Sequence, residues 1–155
     1  MKFTIWTIGK TDEKYIDEGI KKYLNRLKHY TRLEYEELKD VKTNQNVEEI
    51  LKKEADIVLS RLKPDDTLIL MDEKGQMFDS TGFSEYINKL QIQSHKNVIF
   101  LIGGAFGHHK LIRERSNGMI SLSKMTFSHQ MVRIFLVEQI YRAFTILRNE
   151  KYHNN

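Results

Sequence analysis

The sequence contains no cysteine, a single proline and no long hydrophobic run. The absence of cysteine excludes disulfides, thiolate nucleophiles and cysteine-ligated metal sites, and it is compatible with the cytoplasm. No apolar run approaches the roughly 18 residues that a membrane-spanning helix needs. The N-terminal stretch MKFTIWTIGKTDEKY has too short an apolar segment, and no small-residue cleavage site, for a secretory signal. These absences predict a cytoplasmic protein without a membrane segment.

Common nucleotide and metal motifs are missing as well. The glycine-rich loop at residues 103–107 reads GGAFG, which matches neither the G-x-G-x-x-G dinucleotide pattern nor a G-K-[ST] P-loop. The three histidines His108, His109 and His129 lack nearby carboxylates at a ligand spacing, which argues against a metal site. We therefore predict no metal site, and neither a dinucleotide site nor a nucleotide site of the P-loop type.

The 155 residues are 40% hydrophobic and 30% charged, which is typical of one soluble domain. The net charge is +4, and its distribution is uneven. From Lys110 onward eight Lys and Arg residues are accompanied by only three Glu residues. An anionic partner is compatible with this charge, although many soluble proteins share it.

Strand-like and helix-like segments alternate along the chain. The candidate strands are residues 2–9, 32–38, 66–71, 97–102 and 118–122, and the candidate helices are residues 15–27, 46–63, 80–92, 109–116 and 129–148. We expect Asp12 to cap the first helix, Pro64 to follow the end of the second and Gly75 to form a turn after the third strand. The alternation predicts an α/β fold with a mainly parallel sheet flanked by helices, in one domain spanning 1–155.

Two loops follow predicted strands and are candidates for a ligand site. Gly103, Gly104 and Gly107 lie where α/β sheets bind ligands, beyond the carboxyl end of a strand. They indicate a close approach to the main chain by a phosphate, a nucleoside or simply the next turn of the chain. The loop 121–130, SLSKMTFSHQ, alternates small polar and apolar residues. Such a loop is suited to hold a neutral ring such as adenine, although an ordinary surface loop is the alternative.

The segments LIGGAFG, SLSKMTFSHQMVRIFLVEQIYRAF and the terminal YH resemble the RlmH family, and the similarity extends over the whole chain. These are SPOUT-class methyltransferases that use S-adenosylmethionine to methylate N3 of a pseudouridine in large-subunit ribosomal RNA. The resemblance implies a homodimer with a C-terminal trefoil knot. It also implies that the substrate is the assembled ribosome. A non-catalytic ribosome-binding homologue, or a SPOUT enzyme for another RNA site, is the alternative.

The resemblance places the cofactor contacts on three loops. They would fall on Met71, Gly103, Gly104, Leu122, Ser123, Lys124, Met125, Thr126 and Phe127. In this interpretation Gly103 and Gly104 are glycines because a Cβ would clash with the adenosyl group. Ser128 stands where the family usually has proline, and His108 where it commonly has an apolar residue.

The acceptor nitrogen of the base carries a proton, so a base or a cation that favours the ring anion would help methyl transfer. The candidate catalytic residues are His129, Arg142, Tyr152 and His153, of which the resemblance implicates the last three. Arg133 and Arg142 lie in apolar stretches and need a partner, for which RNA phosphate is a natural choice. We therefore predict Arg133, together with Arg113 and Lys110, to bind RNA.

Overall fold

A sheet of five parallel strands forms the centre of the computed structural model, which describes residues 1–41 and 46–154. The elements, in chain order, are β1 (Lys2–Ile8), α1 (Lys14–Leu27), β2 (Leu33–Leu38), α2 (Val47–Arg61), β3 (Thr67–Met77), α3 (Ser80–Ile92), β4 (Asn97–Ile102), α4 (Lys110–Arg115), β5 (Gly118–Ser121) and α5 (His129–Leu147). The strand order in the sheet is β2-β1-β4-β3-β5, and each neighbouring pair is parallel. The predicted α/β class and parallel sheet are confirmed.

Helices cover both faces of the sheet, which explains why its central strands are continuously apolar. Along β4, Val98, Phe100 and Ile102 pack toward α1, α3 and α5, whereas Ile99 and Leu101 pack toward α2 and α4. Burying each such side chain contributes about 1.5–3 kcal/mol. The two apolar layers therefore fix the register of the strands, because a slip of one residue would exchange the faces.

α5 is apolar around much of its circumference because it packs on the sheet and contacts both α1 and α3. Its first turn follows the loop after β5, and its last turn lies close to the C-terminus. Phe135 is the large apolar side chain of α5 that stays exposed, at 37%. One helix thus connects the sheet edge that carries the loops to the opposite end of the molecule.

Two local predictions were wrong. Gly75 does not end the third strand: β3 continues to Met77, and Ile120 of β5 pairs with both Met71 and Gln76, so residues 72–75 form a bulge. A Cβ at Gly75 would lie 2.5 Å from the backbone nitrogen of Ile120, so the bulge requires glycine.

Asp12 does not cap α1. The helix begins at Lys14, and its N-cap Glu13 makes no side-chain capping bond. The backbone N–H of Asp12 donates instead to Oε1 of Gln130 at 2.9 Å. The capping position was misjudged because the segment after β1 is held by α5, which a local pattern does not reveal.

Candidate functional site

The carboxyl ends of three adjacent strands surround a cavity of about 610 Å³. β4, β3 and β5 are neighbours in the sheet, and the loops that leave them supply most of the lining. Parallel strands bring their carboxyl ends to one edge, which is where α/β folds bind ligands. The volume falls within the range of about 300–1,000 Å³ that is usual for small-molecule sites.

Eight of the nine residues predicted to contact a cofactor line this cavity: Met71, Gly103, Gly104, Leu122, Ser123, Met125, Thr126 and Phe127. Lys124 is the exception and lies outside the lining. Three segments distant in sequence are therefore brought together where the sequence interpretation expected them. Whether each residue contacts a bound cofactor stays a prediction.

The glycine loop is closed by its own backbone, and contact of a bound adenosyl group with Gly103 and Gly104 stays a prediction. A Cβ at Gly103 would lie 2.8 Å from the carbonyl oxygen of Gly107, so the loop's own backbone excludes it. A Cβ at Gly104 would meet Oε2 of Glu54 at 3.2 Å, again within the chain. Gly107 has φ +83°, in the left-handed region that favours glycine. The next turn of the chain, one of the three alternatives, is what comes close to this backbone.

His108 connects this glycine loop to β3. Its ring is buried, and Nε2 donates a hydrogen bond to the carbonyl oxygen of Met71 at 2.9 Å. Burial is the main cause that lowers the pKa of His108, so the ring is neutral at pH 7. Where the family commonly has an apolar residue, this chain thus has a buried ring that joins two walls of the cavity.

The loop 121–128 is held by its own small polar side chains. The hydroxyl of Ser121 donates to the carbonyl of Ser123 at 2.8 Å, and the hydroxyl of Ser123 accepts from the N–H of Met125 at 3.0 Å. Thr126 donates to Oε2 of Glu73 on the β3 bulge at 2.9 Å. The hydroxyls therefore shape the loop, and the apolar side chains are left for contact: Met125 is 75% exposed and Phe127 37%.

Ser128 caps α5, since its side chain accepts from the N–H of Met131 at 3.1 Å. Its φ is −60°, which proline could also adopt. The serine thus replaces the rigidity of a proline with a capping hydrogen bond at the same junction.

Sequence reasoning missed two acids at the cavity, because it assigned them only to a turn. Asp72 and Glu73 directly follow the regular part of β3 and line the cavity. Asp72 forms an ion pair of 2.8 Å with Nη1 of Arg113. Their position just beyond a strand end was the available signal.

Arg113 and Lys110, predicted to bind RNA, both have carboxylate partners within the chain. Arg113 lines the cavity and is paired with Asp72, while exposed Lys110 lies 3.7 Å from Glu114 on the same helix. The exposed ion pair of Lys110 with Glu114 contributes little to the stability of the fold and leaves Lys110 accessible. An RNA contact by either residue stays a prediction.

The prediction that Arg133 binds RNA does not agree with the structure, because its side chain is completely buried and cannot reach an RNA phosphate. Its guanidinium donates to the carbonyls of Ile8 and Gly9, each at 2.9 Å, and to Thr11 Oγ1 at 3.0 Å. Glu37 lies at 3.5 Å and supplies the opposite charge. The partner that an arginine in an apolar stretch requires is therefore the end of β1, which the sequence does not reveal.

His129 is the one predicted catalytic residue at the cavity. It begins α5 and lines the cavity, and its Nε2 lies 3.3 Å from the amide nitrogen of Gln130. Burial and the charge of Arg133 lower its pKa, whereas Asp12 opposes them. The imidazole is therefore neutral at pH 7 and can accept a proton or a hydrogen bond.

The other predicted catalytic residues, Arg142, Tyr152 and His153, form a separate group together with Glu138, which we call the tail cluster. Arg142 donates to Nδ1 of His153 at 3.2 Å and to Oε1 of Glu138 at 2.5 Å. The same oxygen of Glu138 accepts from the hydroxyl of Tyr152 at 2.9 Å. Burial and these hydrogen bonds raise the pKa of Tyr152, which stays a phenol. The C-terminal residues are thus ordered by α5.

The tail cluster and the cavity are not brought together within one chain. Arg142 lies thirteen positions after His129 on α5, which corresponds to about 20 Å along the helix axis. Arg142, Tyr152 and His153 are not part of the cavity lining. Any reaction that requires both groups of residues must obtain one of them from elsewhere.

Within residues 1–41 and 46–154, three or more His, Asp or Glu side chains are nowhere grouped closely enough to hold a metal ion. The helices in those ranges are also too short or too polar to cross a bilayer.

Comparisons with known proteins agree with this architecture. A family model described as "Predicted SPOUT methyltransferase" matches residues 1–153. The chain is 50% identical to Ribosomal RNA large subunit methyltransferase H of Cytophaga hutchinsonii over 99% of this chain and 100% of that protein. Proteins of the same name from Christiangramia forsetii and Parabacteroides distasonis are 47% and 46% identical, each over 99% of both chains.

Among solved structures, a probable methylase family protein from Haemophilus influenzae Rd KW20 matches with a TM-score of 0.55 and 11% identity, covering 99% of this chain and 70% of that one. At this sequence identity the match shows only that the two proteins share a fold. The sequence matches extend over nearly the full length, and the chain belongs to the RlmH family of SPOUT methyltransferases.

Proposed function

We propose that this chain is a single-domain cytoplasmic enzyme that methylates N3 of a pseudouridine in large-subunit ribosomal RNA, on the assembled ribosome. In this proposal the methyl donor is S-adenosylmethionine, the enzyme is a homodimer, and the chain forms a C-terminal trefoil knot. The observation that carries the proposal is the cavity at three adjacent strand ends, lined by eight of the nine residues expected to contact the donor. The relatives named as ribosomal RNA methyltransferases support the choice of substrate.

The residues present fit S-adenosylmethionine. Leu122, Met125 and Phe127 offer apolar walls for an adenine ring, and the main chain of two irregular loops offers donors and acceptors. Asp72 and Glu73 bring negative charge to a site for a cationic sulfonium and ammonium. When bound, the donor supplies an activated methyl group for in-line displacement, so the protein's task is to align the two reactants.

The tail cluster supplies the chemistry that the acceptor nitrogen needs. Arg142 carries a guanidinium beside the His153 ring, so the pair can take up the N3 proton or stabilise the ring anion. Tyr152, held as a phenol beneath the guanidinium of Arg142 at 4.7 Å, can orient or stack on the base. At the cavity, neutral His129 can accept a further hydrogen bond.

A second copy of the chain can unite these groups. Phe135 lies on α5 about midway between His129 and Arg142, and it is exposed and contacts Phe127 at 5.1 Å between ring centroids. If two α5 helices pair antiparallel about Phe135, the tail cluster of one subunit approaches the cavity of the other. A two-fold axis generates two identical sites from such a contact.

The proposal is tested with ribosomes from cells that lack the gene. Mass spectrometry of their ribosomal RNA should reveal one missing methyl group, which the purified protein with S-adenosylmethionine should restore on ribosomes. Isothermal calorimetry with S-adenosylmethionine alone should give a saturable heat. A protein that binds ribosomes, but does not bind the donor and does not restore the methyl group, would be a non-catalytic homologue. That outcome would refute the proposal.

A further inference from the structure

Four tyrosines on α1, on α5 and in the segments that follow them form a cluster in which three rings contact Tyr141. Ring centroids are 5.8 Å apart for Tyr23 and Tyr141, 5.8 Å for Tyr30 and Tyr141, and 4.8 Å for Tyr141 and Tyr152. All four rings are only partly buried. We call this group of four rings the tyrosine surface. It adjoins the tail cluster, because Tyr152 belongs to both.

Cations cover the tyrosine surface. Lys22 Nζ lies 5.8 Å from the ring of Tyr23, the Arg26 guanidinium 5.6 Å from that ring and 5.5 Å from the next, and the Arg148 guanidinium 4.6 Å from Tyr30. Within the part of the chain that the structure describes, these three cations form no ion pair with a carboxylate. Arginine and lysine held by aromatic faces present their charge in fixed positions.

We propose that the tyrosine surface with Lys22, Arg26 and Arg148 binds the sugar-phosphate backbone of ribosomal RNA that flanks the methylated base. This inference rests on the proposed function and assigns the RNA contact to a face different from the one predicted from sequence. Unpaired cations attract phosphates and position the nucleic acid, while the tyrosine rings stack on unpaired bases. Because the surface adjoins Arg142 and Tyr152, RNA bound there delivers its neighbouring nucleotide to the tail cluster.

Charge explains why RNA, and not a second copy, is the occupant. Two copies of this surface facing each other across a two-fold axis would oppose cations with cations, which is destabilising. Two carboxylates that contact the tyrosine surface are already engaged, since Glu138 accepts from Tyr152 and Glu150 accepts from Tyr30 at 2.5 Å. Arg113 at the cavity differs from these three cations, because it is paired with a carboxylate of its own chain.

The test replaces Lys22, Arg26 and Arg148 together with glutamine and measures sedimentation binding to ribosomes at several salt concentrations. The matched control replaces Lys53, Lys63 and Lys89, three exposed lysines on other surfaces, and removes the same charge. Each lost phosphate contact lowers the magnitude of the slope of log affinity against log salt concentration by about 1. This slope should therefore fall by roughly 3 in the surface variant and hardly change in the control. An equal loss in both variants, or none in either, would overturn the proposal.

Two further measurements separate this inference from the proposed function. Calorimetry with S-adenosylmethionine should be unchanged in the surface variant, so that a binding defect is not a cofactor defect. Ultraviolet cross-linking to ribosomes, followed by mass spectrometry, should find nucleotide adducts on peptides containing Tyr23, Tyr30 or Tyr141. If methylation and the salt slope stay normal in the surface variant, the enzyme keeps its function and this surface is not its RNA contact. Adducts of ribosomal proteins in place of nucleotides would equally reject the RNA partner.

Discussion

The cavity and the tail cluster lie at opposite ends of α5 and are constructed differently. The cavity is formed by main chain and buried polar contacts: a glycine loop closed on itself, and His108 bonded to Met71. The tail cluster consists of side chains that contact one another on a half-exposed helix face. The cavity is lined by residues of one chain, whereas the tail cluster lies outside that lining. This difference fits the proposed function, in which the cavity holds the methyl donor and the tail cluster acts together with the cavity of another subunit.

The largest expected effect is complementation between two inactive variants. Gly103→Val should distort the glycine loop of the cavity and Arg142→Ala should disable the tail cluster, each lowering the methylation rate by about 100-fold or more. Dimers formed by mixing the two after denaturation and refolding, or by co-expression, contain one intact composite site in half of the cases. The mixture should therefore recover about a quarter of the wild-type rate.

Refolding each variant alone is the control, and it should restore nothing. An inactive mixture that nevertheless contains heterodimers, shown by differently tagged subunits, would mean that each chain uses its own tail cluster. A rearrangement within one chain would then have to bring the tail cluster to the cavity.

The second prediction concerns the glycines and separates backbone closure from ligand contact. Gly103→Ala places a Cβ 2.8 Å from the immobile carbonyl of Gly107, whereas Gly104→Ala places one 3.2 Å from the flexible carboxylate of Glu54. Gly103→Ala should lower the free energy of unfolding by about 1–3 kcal/mol and weaken S-adenosylmethionine binding, while Gly104→Ala should cost less than about 1 kcal/mol. Thermal unfolding and calorimetry check both variants. Unchanged stability in Gly103→Ala, with binding lost, would restore the original interpretation that the ligand excludes the side chain.

The third prediction compares two arginines on the same helix. Arg133→Met leaves the carbonyls of Ile8 and Gly9 buried without a donor and should lower the free energy of unfolding by about 2–4 kcal/mol. Arg142→Met removes a half-exposed side chain and should cost less than about 1 kcal/mol while abolishing methylation. Urea denaturation measures both. A normal stability for Arg133→Met, accompanied by a reduced salt dependence of ribosome binding, would revive the prediction that Arg133 contacts RNA.

The sequence predicted the fold class and most of the cavity because both depend on short-range patterns. Alternating apolar runs and helical spacing identify strands and helices, and parallel strands necessarily place their following loops at one edge. The resemblance then selected the residues on those loops, of which Lys124 alone lies outside the lining. The continuation of β3 beyond Gly75 was not predictable, since it depends on pairing with β5, which lies more than 40 residues later.

The roles of individual polar residues were less predictable, because they depend on partners remote in sequence. Arg133 and Arg142 occupy similar apolar contexts, MVRIF and IYRAF, yet one is completely buried against β1 and the other lies on the helix surface beside the C-terminus. What distinguishes them is which face of α5 meets the sheet. Composition also could not reveal that Lys22, Arg26 and Arg148 lie over the tyrosine surface, since these contacts are a property of the folded chain.

The smallest expected effect concerns pH and applies to the cavity end only. Burial lowers the pKa of His108 below its ordinary value of 6.5, so between the folded and unfolded pKa values the unfolded chain binds more protons. The free energy of unfolding should therefore be fully retained above about pH 6.5 and decline as the pH falls below it. His108→Leu, which introduces an apolar residue as in the family, should remove most of this decline. A weaker decline should remain, because burial lowers the pKa of His129 in the same direction. Urea denaturation of both proteins at pH 7.5 and 5.5 provides the measurement. If His108→Leu is as sensitive to acid as the wild type, the buried ring is not what couples the glycine loop to β3, and the rigidity of the cavity must come from the glycine turn alone.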